Sequence, residues 1–203
     1  MRDPEIRRNL RRQLFATYGS DPAVLIIDEL GICSGLARAD MAVINGELKG
    51  FEIKSERDDL DRLPSQIHLY GKVFDTMSVV IGSRHLKRVE ASSPNWWGVV
   101  VVAENETTLE WRLVRPEGKN LGHDALSVAQ LLWRDEALEV LRSSGLAKGL
   151  ASRPRKHLWE ALVSNFCLSD LRCIVRTRLK LRKNWRVATV QTQGDGKSRL
   201  VSR

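Results

Sequence analysis

The chain has little cysteine, no long apolar run and, over its last third, almost no acidic residue. Cys33, Cys167 and Cys173 are its three cysteines. An odd count without a short CxxC pair argues against a disulfide framework or a cysteine zinc site, and makes a reducing cytoplasm the expected compartment. No apolar stretch reaches the roughly 18 residues that a membrane span requires. The opening Met1-Arg2-Asp3-Pro4-Glu5 is charged and lacks the apolar segment of a secretory signal. His68, His85, His123 and His157 are dispersed and form no zinc spacing. There is no internal repeat.

What remains is an ordinary soluble composition, with 42% apolar and 29% charged residues in a chain of 203. That length suits one buried core with a smaller appended part. Charge is divided unevenly. Residues 142–203 hold 15 Lys/Arg against Glu160, Asp170 and Asp195, a net of +12, whereas residues 1–141 hold 18 basic and 22 acidic residues, a net of −4. An acidic front followed by a basic end suggests a reactive domain beside a polyanion-binding surface. The alternative is a solvated basic helix that keeps the chain soluble.

Periodicity gives the elements. Asp3 and Pro4 start a helix carrying Ile6, Leu10 and Leu14 on one face and Arg7, Arg8, Arg11 and Arg12 on the other, with Gly19 as its stop. Ala23–Ile27 reads as a buried strand running into Asp28 and Glu29. Met41–Ile44 and Leu48–Ser55 read as a hairpin turning at Asn45-Gly46. Asp58–Met77 shows the helical stripe Leu63, Ile67, Tyr70 and Phe74. Strands are expected at 78–82, 98–103 and 109–114. A capping box at Ser127–Gln130 opens a helix to about Ser143. Further helices are expected at about 155–166 and 170–185. The order predicts an α/β protein, a mixed central β-sheet flanked by helices, with a helical basic C-terminal part. The expected division is 1–116 as core, 117–190 as a helical basic region and 191–203 as a flexible tail.

The chemistry-bearing residues gather in the hairpin. Glu52 and Lys54 leave one face of a strand that they interrupt with charge. Asp40 stands at the far end of the same hairpin. Two carboxylates brought together repel unless a cation lies between them, and oxygen-only ligation suits Mg²⁺. A neighbouring lysine can orient water or neutralise phosphate charge. These parts suit metal-assisted phosphodiester hydrolysis. A two-residue Asn45-Gly46 turn would put Asp40 opposite Phe51, on the wrong face. Pairing Asp40 with Glu52 instead requires a three-residue loop or a bulge, so an irregular strand near Asp40 is expected. The alternative for Glu52 and Lys54 is an ordinary ion pair.

Asp40 followed by Glu52-Ile53-Lys54, with Gln66-Ile67-His68-Leu69-Tyr70 matching a QxxxY helix, resembles the RecB-like branch of the PD-(D/E)XK nuclease superfamily. The stretches Arg38–Val43 and Phe51–Ser55 look like its small phage- and mobile-element-associated members. The resemblance covers about residues 1–103, and Ala39 stands where the namesake pattern has proline. It implies a restriction-endonuclease-like core. Mg²⁺ or Mn²⁺ would be held by Asp40, Glu52 and the carbonyl of Ile53, with Glu29 as an added ligand. Lys54 would assist water attack and Gln66 would point towards the site. The implied activity is a metal-dependent deoxyribonuclease, an endonuclease among the options. For Tyr70, core packing is the alternative.

At the basic end, Arg172, Arg176, Lys180 and Lys183 form a helical stripe widened by Arg178, Arg182 and Arg186. Such a helix can grip phosphates without reading sequence. The expected partner is nucleic acid, DNA before RNA, and a homodimer would let two sites cut opposite strands. Two further classes stand beside the enzyme: a non-catalytic nucleic-acid-binding module, and a protein-interaction adapter.

Overall fold

The computed structural model describes residues 2–104, 109–182 and 185. Lys183, Arg186 and the expected tail lie outside the described residues.

A six-stranded mixed sheet forms the centre, with its strands in chain order: β1 (Leu25–Ile32), β2 (Ala37–Ile44), β3 (Leu48–Lys54), β4 (Thr76–Gly82), β5 (Trp97–Glu104) and β6 (Leu109–Arg115). The β1–β2 and β2–β3 pairs are antiparallel, β3, β4 and β5 run parallel, and β6 returns antiparallel. The parallel centre is covered on both faces, and β4 is accordingly buried at every position rather than at alternate ones. The expected mixed sheet flanked by helices is therefore present.

Among the described residues, helix α1 (Asp3–Tyr18) alone covers one face. Its buried Ile6, Leu10 and Leu14 meet Ile26, Met41, Val43, Ile53, Val80 and Val102. At about 1.5–3 kcal/mol per buried aliphatic side chain, this stripe fixes the helix on the sheet. The other face carries α2 (Leu63–Tyr70), α3 (Leu86–Ser92), α4 (Ala125–Ala129), α5 (Arg134–Ser143), α6 (Arg155–Asn165) and α7 (Leu168–Leu181). One apolar cluster runs on this side from Ile27 in β1 to Leu179 in α7.

Local chemistry sets boundaries that periodicity placed differently. The helix expected from Asp58 begins only at Leu63, because the Asp58 carboxylate accepts the backbone N–H and the hydroxyl of Ser55 and holds a turn. The helix expected over 127–143 is two helices. Asp124, not Ser127, caps α4 by accepting the Ser127 N–H at 2.8 Å. A second start follows at Trp133, whose N–H donates to Glu136. Helix α3 was not foreseen.

Gly50 in β3 leaves room for a neighbour. A Cβ there would come within 2.9 Å of the Phe74 ring and would also strike Met77. Gly50→Ala should cost about 1–3 kcal/mol in urea unfolding through overpacking. A midpoint equal to wild type would show that Phe74 yields freely.

Candidate functional site

The hairpin register decides what Asp40 meets. Ile44 pairs with Leu48 and Met41 with Phe51, so the turn spans Asn45-Gly46-Glu47, three residues rather than two. This register brings Asp40 to Glu52. The expected irregularity lies on the other side of Asp40. Its partner position in β1, Glu29, has a φ of +56°, and the Glu29–Asp40 pair is missing from an otherwise continuous register. Ala42 and Ala39 consequently pack into the same apolar cluster although they are an odd number of residues apart. The Asp40 carboxylate takes up the freed geometry by accepting the Ile53 N–H at 2.7 Å.

Asp40, Glu52, Lys54 and Gln66 are brought together, with Tyr70 at the floor. Glu52 is 3% exposed and Lys54 5%. One Glu52 oxygen accepts from Gln66 Nε2 at 2.6 Å and lies 2.8 Å from Lys54 Nζ. The other accepts the Tyr70 hydroxyl at 2.7 Å. That hydroxyl is also 2.8 Å from the Arg38 carbonyl, and the Tyr70 ring lies between Phe74 and Trp97. Tyr70 is thus both a core residue and a partner of the carboxylate.

Arg7, which the sequence placed on the solvent face of α1, closes the arrangement by donating to the carboxylate and the backbone carbonyl of Asp40. Every carboxylate oxygen of the pair is therefore engaged by the protein's own donors. Burial pushes the Asp40 carboxyl up, with Arg7 opposing. Burial and the charge of Asp40 push Glu52 up. Burial and Glu52 raise the Tyr70 hydroxyl, so it stays a proton donor. Glu29 sits mid-strand, 3.6 Å from Arg38.

This donor set balances its own charge. Arg7 and Lys54 supply positive charge, and each oxygen of the two carboxylates accepts at least one bond from the protein. No group of three or more His, Cys, Asp or Glu could hold a metal ion among the described residues.

The predicted basic helix is α7, and much of its charge turns inward. Arg172 and Arg176 both reach Asp75, which also accepts the Leu48 N–H at 2.7 Å and lies 3.0 Å from His123 Nε2. Burial alone would raise the Asp75 carboxyl, but His123, the Leu48 N–H and Arg172 outweigh it and hold it below the ordinary range. Arg178 pairs with Glu139 at 2.8 Å. Arg182 pairs with Glu136 and stacks between the Trp133 and Trp185 rings. Lys180 is exposed. Sequence reasoning missed Asp75 and His123, although an aspartate between Phe74 and Met77 is a charge inside an apolar run.

A family model, described as Bacteriophage P4 protein cII, matches residues 1–198. The chain belongs to the bacteriophage P4 protein cII family. It is also 25% identical over 182 residues to Protein cII of Enterobacteria phage P4, covering 90% of this chain and 68% of that relative. No solved structure matches at a significant level.

Membership in the cII family overturns the resemblance to PD-(D/E)XK nucleases. With it go the readings of this chain as a hydrolase, a metal-dependent deoxyribonuclease, an endonuclease and a metal-binding protein. The physical reason lies in the hairpin. Asp40, Glu52 and Lys54 form the ion-pair network that the same spacing also permits, with Arg7 supplied from α1. Of what that resemblance implied, the phage association and the mixed sheet flanked by helices stand. No helix among the described residues is long and apolar enough to cross a membrane.

Proposed function

We propose that this cII-family chain is a nucleic-acid-binding protein that acts by binding without turnover. One observation carries the reading. Residues 142–157 contain five cations, Arg142, Lys148, Arg153, Arg155 and Lys156, and no acid. All five are exposed on the end of α5, the following loop and the start of α6. Arg142, Lys148 and Arg153 make no ion pair among the described residues, whereas Lys156 has a partner in Glu160 at 3.8 Å and Arg155 lies over Trp159. An acid-free cationic surface of this kind displaces counterions from a phosphate backbone and reads no sequence. On α7 Lys180 is exposed as well, whereas Arg172, Arg176 and Arg178 are committed to Asp75 and Glu139. The preferred partner is DNA.

Fluorescence anisotropy with labelled duplex DNA, single-stranded DNA and RNA across a salt series tests the reading. For duplex DNA the log of affinity should fall by about 0.9 per phosphate contact for each log unit of salt. The triple variant Lys148→Glu/Arg153→Glu/Arg155→Glu should flatten that slope by roughly 2–3 units. Absence of binding at low salt, or an unchanged slope in the triple variant, would sink the reading.

A further inference from the structure

Among the described residues strand β6 forms one edge of the sheet, and its sequence complements itself. Leu109, Trp111 and Leu113 share the face towards α1, where Trp111 and Leu113 line an apolar groove of about 360 Å³ with Leu10, Leu14, Val80 and Val100. Leu113 is 65% exposed. Glu110 and Arg112 point to the opposite face, both exposed and neither in an ion pair among the described residues. The stretch from Leu109 to Leu113 pairs regularly with β5, and the irregularity of this strand pair falls beyond it, between Arg115 and Leu113. The other edge, β1, is blunted by the positive φ of Glu29 within the strand.

We propose that β6 is the docking surface for a second copy of this chain, joined antiparallel about a two-fold axis at Trp111. The register follows from charge and face together. With Trp111 opposite itself, Glu110 of each copy faces Arg112 of the other, twice by symmetry, and Leu109 faces Leu113 on the apolar side. Sliding by two residues sets Arg112 against Arg112, or Glu110 against Glu110. Sliding by one sets the charged face of one strand against the apolar face of the other. Opposite residues in an antiparallel pair share a face, so only the first register satisfies both sides. The union makes one continuous sheet of the two copies and places the two apolar grooves side by side.

Sedimentation equilibrium on the full chain tests this. Wild type should be a reversible dimer. Arg112→Glu alone, and Glu110→Arg alone, should each raise the dimer dissociation constant roughly ten- to a hundredfold, because two attractions become two repulsions. The double variant Glu110→Arg/Arg112→Glu should restore it, with melting curves of all four proteins showing that they fold. A monomeric wild type overturns the proposal. So does a dimer indifferent to the single variants, or single variants that dissociate without rescue in the double.

Discussion

Asp75→Ala will lower the unfolding free energy by about 3–5 kcal/mol, the usual result of stripping one partner from a buried charge cluster. Asp75 is 2% exposed and faces His123, Arg172 and Arg176. Without the carboxylate, two guanidinium groups and an imidazole share a space with no negative charge, and the Leu48 N–H loses its acceptor. For a chain of this length the loss moves the melting temperature down by roughly 6–20 °C. Urea and thermal unfolding measure it, and a midpoint within error of wild type would remove Asp75 from the fold's main supports. The pH dependence has a definite sign. A carboxyl held below its unfolded value contributes its stability in full above about pH 4, and loses it as pH falls through the folded value. The gap between wild type and Asp75→Asn should therefore be constant near neutrality and close on acidification.

Lys54→Ala should be nearly as damaging, again by about 3–5 kcal/mol, because it leaves Glu52 buried without its cation. Removing both charges in the double variant Glu52→Gln/Lys54→Met should recover most of the loss, since apolar and amide groups of similar shape carry no desolvation penalty for charge. Glu52 is pushed up by burial and by Asp40. A carboxyl raised in the folded state contributes stability below its unfolded value and loses it as pH rises through the folded one. The single variant should accordingly be more stable at about pH 5 than at about pH 7. A double variant no better than Lys54→Ala would show that the network's hydrogen bonds, not its charge balance, hold the hairpin to α2.

The sequence made the sheet legible because alternation in the hairpin, the apolar runs of β4 and β5 and the Ile6–Leu10–Leu14 stripe are local signals. The gathering of Asp40, Glu52, Lys54, Gln66 and Tyr70 was legible as well, through spacing and the need for a register that summed correctly. Its meaning was not. The spacing of carboxylates and lysine is the same whether a cation or an arginine lies between them, and Arg7 comes from a helix 33 residues away. Boundaries failed where a side chain competed with the backbone, as Asp58 does before α2 and Asp124 before α4. The inward turn of the α7 arginines was invisible for a related reason: helical spacing shows that they share a stripe, but not that Asp75 waits beneath it.

That arrangement also sets an order of events during synthesis. Asp75 and Arg172 are separated by 97 residues, so the aspartate leaves the ribosome long before the arginine exists. At ordinary elongation rates the interval is roughly 5–20 s. During it the sheet can assemble from β1 to β6, but the carboxylate has no guanidinium partner and the apolar face that α7 will cover is open. Closure of this face therefore waits until α7 has been translated. Chaperones should engage the nascent chain most strongly between the completion of β6 and the emergence of α7.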